Sequence, residues 1–248
     1  LLISIDSHAM TEHERNRGLK GVGERIREGI RQAHRAQIPV IASVTVNRLV
    51  DYDALPVMLG DLGFDAVAFS YPRRLPFGSS SLVYSEESEL LNFESGELVS
   101  ALDAIKKMKR HFPVLNPTAS ITDIQNHIQG KDEAFSCVGG YKYFYIDWNL
   151  DIWRCEAWST KLGSVFDFEQ MAEDRSHCTN CSMSCYRDTS VMMHAAISMA
   201  DALSAIASGR IGGAAKLLFR RSVALSALSM IAEAKTLVRL RDKVESPN

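Results

Sequence analysis

The alternation of apolar and polar positions splits the chain into an ordered first half and a mixed second half. Residues 1–6 (Leu-Leu-Ile-Ser-Ile-Asp), 40–46 and 66–70 are short, nearly continuous apolar runs. They read as strands of a parallel sheet, which is covered on both faces and shows little alternation. Between them, residues 18–37 place Val22, Ile26, Ile30 and Ala33 at helical spacing with charges opposite, and Pro39 stops the run. Residues 51–62 predict a shorter helix closed by Gly63. The polar stretch 7–17 predicts a loop whose His8 and His13 are solvated rather than ligating. Strand, helix, strand, helix, strand with short links means right-handed βαβ units. Ligands of such sheets sit beyond the carboxyl ends of the strands, here Ser4-Ile5-Asp6, Thr45-Val46-Asn47 and Ser70-Tyr71-Pro72-Arg73-Arg74.

Further on, residues 75–92 predict a long loop in which Gly78-Ser79-Ser80-Ser81 is an ordinary turn, lacking the full glycine spacing of a phosphate loop. Residues 95–112 form a helix with Leu98, Leu102, Ile105 and Met108 on its apolar face, and residues 118–129 form another, with Thr118 as cap and Gly130 after its end. The tail predicts a helix over 191–208, a break at 209–213 and one long helix or two over 214–241. From residue 210 onward the tail carries eight basic residues against three acidic ones. Two readings follow: a helical hairpin packed on the main domain, or a basic amphipathic helix on an anionic membrane surface. His194 and Asp201 interrupt the apolar stretch 191–207, which argues against a membrane span.

Composition changes this picture little. With 248 residues, 46% of them hydrophobic, the chain can bury a sizeable core, and its net charge of −2 does not suggest nucleic-acid binding. No secretory signal is evident, so the expected location is cytoplasmic, with the tail as a peripheral membrane contact.

The cysteines change it most. All five, Cys137, Cys155, Cys178, Cys181 and Cys185, fall within residues 137–185, and the last three spell C-x2-C-x3-C. Aromatic and β-branched residues between Cys137 and Cys155 predict two strands with a turn at Asn149 and Leu150, which brings both cysteines together. If the C-x2-C pair packs beside that hairpin, four thiolates converge on one point. Disulfides are disfavoured by the expected compartment, and five cysteines cannot all pair. A sulfur tetrahedron suits zinc or an iron–sulfur cluster, and spacing alone does not separate the two. Tyr141, Tyr143, Phe144, Tyr145, Trp148, Trp153 and Trp158 either shield that centre or simply form the core of the hairpin.

Ser4-Ile5-Asp6, followed by Glu12-His13-Glu14-Arg15-Asn16-Arg17-Gly18 and a helix, resembles the fourth strand and following loop of a radical S-adenosylmethionine (SAM) enzyme. Cys137 and Cys155 on a hairpin, with Cys178 and Cys181 downstream, are similar to the twitch module, a shortened SPASM domain that carries an auxiliary cluster. The C-x2-C-x3-C ending is most similar to the hopanoid-biosynthesis-like branch. The resemblance covers all but the last sixty or so residues. It implies part of a parallel βα barrel over 1–130, a cluster-binding module over 131–190 and a helical extension over 191–248. It implies SAM across the strand ends, contacted by Ser4, Asp6 and Asn47, with Arg17 paired to its carboxylate. Cys137, Cys155, Cys178 and Cys181 would hold an auxiliary 4Fe-4S cluster, with Cys185 replacing one of them or remaining a thiol.

The activity implied is reductive cleavage of SAM to a 5′-deoxyadenosyl radical that abstracts hydrogen from a small-molecule or lipid-like substrate, with flavodoxin or ferredoxin as electron donor. Two positions depart from the family. Leu150 stands where its hairpin usually carries glycine, and the C-x3-C-x2-C motif of the catalytic cluster is absent. With the apolar run at residue 1, that absence leads us to expect an N-terminally truncated chain, inactive alone, with a second 4Fe-4S cluster on the missing part. The rival reading is a non-catalytic zinc-binding interaction module on an α/β scaffold.

Overall fold

The computed structural model describes residues 1–72, 88–179 and 181–245. Most of the loop expected over 75–92, its Gly78–81 turn included, lies outside them, as do Arg73 and Arg74. The fold is mixed α/β. Three strands, β1 (Leu2–Ser4), β2 (Ile41–Thr45) and β3 (Ala66–Ser70), form a parallel sheet in chain order, and a parallel bridge from Val67 to Val114 extends it by one further segment. The links are helical: α1 (Met10–Arg17) and α2 (Val22–Arg35) after β1, α3 (Leu55–Leu62) after β2, and α4 (Ser95–Met108) before the bridge. Ala42, Val44, Val67 and Phe69 bury one face of the sheet against Ile26, Ile30, Leu59, Leu102 and Ile105 of these helices.

The other face is different. Strand alternation and register place Ser4 beside Ser43, Ser43 beside Ala68, and Thr45 beside Ser70 on it. Ser4, Thr45 and Ser70 are exposed there. The strands are therefore not apolar on both sides, as their composition suggested. Small residues and hydroxyls line an open face that runs to the carboxyl ends.

Residues 7–17 are a loop only as far as Ala9. Met10–Arg17 form α1, which lacks apolar periodicity and is fixed by local polar contacts. Ser7 Oγ accepts the Ala9 N–H at 3.1 Å, Arg15 pairs with Glu12, and Gly18 closes the helix in the left-handed region at φ 64°. His13 is accordingly not solvated. It is buried, and its Nδ1 accepts the Asp6 N–H at 3.2 Å.

After α5 (Thr118–Ile128), whose cap position is Pro117 rather than Thr118, comes a second sheet, all antiparallel. The expected hairpin is present as β4 (Tyr145–Ile146) and β5 (Asp151–Trp153). A third strand, β6 (Lys161–Ser164), is added, and a 3-10 turn follows over Val165–Gln170. The tail folds as α6 (Ser184–Ala207), α7 (Ile211–Leu218) and α8 (Arg221–Glu245). The boundary expected after residue 190 thus falls inside α6. By length and composition α6 could cross a bilayer. In this fold it lies against α5, α7 and α8.

Candidate metal centre

The four cysteines expected to act together fall in one apolar cluster. Cys137 and Cys155 are buried, Cys178 and Cys181 half-buried, and all four belong to one apolar cluster with Met183, Tyr186 and Trp158. The Cys137 N–H donates to the Cys178 carbonyl at 3.0 Å, which ties the start of the hairpin segment to the downstream knuckle. None of the cysteines is in a disulfide. Cys185, on the first turn of α6, is exposed and outside that apolar cluster, yet near enough to Cys181 for their charges to interact. Among the described residues, no three or more His, Cys, Asp or Glu side chains are drawn together tightly enough to hold a metal ion as they stand.

The backbone around these sulfurs follows one pattern. The Gly139 N–H points at Cys137 Sγ at 3.3 Å. In the same way the N–H of Ala157 favours the Cys155 thiolate and that of Met183 favours the Cys181 thiolate. Three of the four thiols therefore have a backbone donor two residues on, which is what an anionic sulfur requires. Opposing this, burial pushes all three thiols above their ordinary value, Cys155 to about 11. The thiolate form is solvated by amides but deprived of water, and a bound cation would resolve that conflict. The donor set, four soft sulfurs in an apolar pocket with N–H partners, fits a metal–thiolate group.

Two buried arginines hold the walls. Arg154, beside Cys155 and 1% exposed, pairs with Asp174 at 3.0 Å, donates to the Ser176 carbonyl at 2.6 Å and to its hydroxyl, and lies over the Trp158 ring at 4.8 Å. That clamps the segment leading into Cys178. Arg187, 2% exposed, pairs with Asp123 at 2.7 Å and with Glu133, joining α6 to α5 and to the segment before Cys137. Close approach makes glycine necessary at 139 and 140. A Cβ on Gly139 would lie 2.9 Å from the Arg154 carbonyl and 3.3 Å from Cys137 Sγ. Gly140 has φ 94°, and its Cβ would lie 2.9 Å from the Asp174 carbonyl.

The aromatics divide. Trp158 touches the thiol cluster, and Tyr143 stacks edge-on at 5.0 Å on Tyr186, a residue whose place at the centre its position in α6 did not announce. Trp148 is 72% exposed at the hairpin turn, so it neither shields the centre nor fills a core.

At the strand ends, Arg17 is not free to take a ligand carboxylate. Its Nε and Nη2 donate to Asp6 at 2.6 and 2.7 Å, and Asn16 adds a third donor at 2.8 Å. Asn47 is buried, and its amide donates to the Asp6 and Thr45 carbonyls, holding β1 and β2 together. Of the expected SAM contacts, Ser4 and Arg17 are exposed, Arg17 with its fork on Asp6, while Asp6 is half-buried and Asn47 buried. Sequence reading missed a polar knot at the same end of β3. Asn116 bonds the Phe69 backbone on both sides and donates to Asp188 at 2.9 Å, Ser120 also donates to Asp188, and the buried Tyr71 hydroxyl lies close to Asn116 and Asp188. Burial raises the Asp188 carboxyl to about 7. Asp188 follows Cys185 by three residues, and nothing in a helical stretch marks such a carboxylate in sequence.

No family model, curated protein or solved structure matches this chain.

Proposed function

We propose that this chain is the cluster-bearing part of a radical SAM enzyme, with Cys137, Cys155, Cys178 and Cys181 holding an auxiliary 4Fe-4S cluster. The observation that carries the reading is the gathering of these four cysteines into one apolar cluster, three of their sulfurs with an N–H two residues on. The parallel strands in chain order, with helices on one face and hydroxyls on the other, support a sector of a βα barrel as the second part of the reading.

Radical formation is the chemistry that SAM and a catalytic cluster supply when bound, and this sequence holds no C-x3-C-x2-C for the latter. The residues of this chain bind and orient. Ser4, Thr45 and Ser70 offer hydroxyls on the open sheet face, and the Asp6–Arg17 pair fixes the rim of that face. Asp188, titrating near neutrality, can hold or give up a proton at the end of β3. Trp158, Tyr186 and Met183 keep water from the thiols.

The test is anaerobic reconstitution with iron and sulfide. The wild-type chain should turn brown and retain roughly four irons. Cys155→Ala should lose all or nearly all of them, while Cys185→Ala should keep them. Iron retention unchanged by Cys155→Ala would remove the ligand assignment. A colourless protein that takes up one zinc in place of iron would favour the interaction-module reading.

A further inference from the structure

We propose that the groove between α6 and α7 binds a phosphate monoester. The groove encloses about 570 Å3, and Arg210, Lys216 and Arg220 converge on it. None of the three enters an ion pair among the described residues, although the chain as a whole carries more acidic than basic side chains. The one carboxylate in the groove, Asp201, is engaged by Arg175 at 3.1 Å. Three unneutralised cations facing one cavity repel one another, and an anion held between them relieves that repulsion.

A second feature points to the same ligand. Helix α7 begins at the groove, with Arg210 as its cap residue and Gly213 lining the wall, and no side chain caps its amino terminus. The Gly213 N–H itself donates to the Arg210 carbonyl at 3.0 Å, so the helix adds the field of its positive end, not a free amide, to that of the side chains. Gly212 and Gly213 leave the backbone open to close approach, since a Cβ on Gly212 would meet nothing within 4 Å and one on Gly213 only the Arg210 Cβ at 3.9 Å. Two guanidinium groups and an ammonium suit a phosphate monoester, which carries roughly two negative charges, better than a singly charged carboxylate. The phosphate can belong to a soluble metabolite or to a lipid headgroup. Phe219, 90% exposed next to Arg220, is the side chain that would enter a bilayer in the second case. This inference is independent of the metal centre.

Calorimetric titration of the full chain with glycerol phosphate, and co-sedimentation with phosphatidylcholine vesicles with or without phosphatidate, test it. Arg210→Gln/Lys216→Gln/Arg220→Gln should weaken binding by at least about tenfold, from the loss of three charge-assisted contacts. Lys20→Gln/Arg25→Gln/Arg35→Gln, which removes the same charge from the α1–α2 side, should leave binding within about twofold. Circular dichroism controls for folding. Saturable binding of glycerol phosphate assigns a soluble ligand. Binding to phosphatidate vesicles alone, weakened by Phe219→Ser, assigns a headgroup. Binding of neither probe, or equal losses in both triple variants, overturns the proposal.

Discussion

At the scale of single residues, the chain keeps several positions whose side chains are dictated by backbone rather than by contact. Leu150 is one. It occupies the hairpin turn at φ 62°, a left-handed conformation that costs a side-chain-bearing residue about 1 kcal/mol or more. Asp147 organises the turn around it by accepting the Asn149 and Asp151 N–H groups and the Trp153 indole. The turn is thus the glycine-type turn, built without the glycine. Leu150→Gly should raise unfolding stability by about 0.5–1 kcal/mol in urea titrations, and Leu150→Val should lower it by at least about 1 kcal/mol. Equal effects of the two would mean that the conformation is unstrained. Gly139 is the converse case: Gly139→Ala must displace the Arg154 carbonyl or Cys137 Sγ, and it should cut the iron retained after reconstitution by more than half. The cysteines themselves were legible because their spacing is the signal. The N–H partners of their sulfurs were not, since any residue two positions on can supply one.

At the scale of elements, helices and strands with apolar periodicity were readable, and those held by polar contacts were not. Residues 66–70 form β3 as expected, and the helix expected over 191–208 is the later part of α6, which begins seven residues earlier and ends at Ala207. Helix α1 was invisible because its stabilisation lies in Ser7, Glu12 and Arg15 rather than in an apolar face. Strand β6 was invisible because Lys161, Leu162, Gly163 and Ser164 carry no strand propensity, and pairing with β5 makes it one. The elements are joined by buried charge. Removing one partner of the Arg187–Asp123–Glu133 group leaves an uncompensated charge inside, so Arg187→Met should cost about 3–5 kcal/mol in chemical denaturation. A loss below about 1 kcal/mol would show that the group is not what docks α6 on α5.

The same docking should depend on pH through Asp188. Its carboxyl binds a proton more tightly in the folded chain, at about 7, than in the unfolded one at 3.8. The contribution is therefore fully present below the unfolded value and is lost as pH rises through the folded one. Stability should fall between about pH 4 and 7 by on the order of 2–3 kcal/mol, discounted for the part of Asp188 that reaches solvent. Asp188→Asn, which keeps an acceptor for Ser120, should flatten that slope. An unchanged slope would assign the dependence to another group.

At the scale of the whole molecule, a parallel sheet with one covered and one open face is followed by an antiparallel module and three helices, of which α6 and α8 return to pack on α5 and α7 packs on α6. The order of these parts was legible from the switch between strand-like and helical periodicity. The open sheet face was not, because Ser4, Ser43, Thr45 and Ser70 become one row only through register. The proposed inorganic centre is shared by both ends of the hairpin segment and the knuckle after it. X-ray absorption at the metal edge of the anaerobically reconstituted chain tests this most directly. The account predicts iron with sulfur neighbours at about 2.3 Å and a second shell of iron at a short distance. Zinc with four sulfurs at about 2.3 Å and no metal neighbour, or iron bound mainly through oxygen and nitrogen, would contradict it.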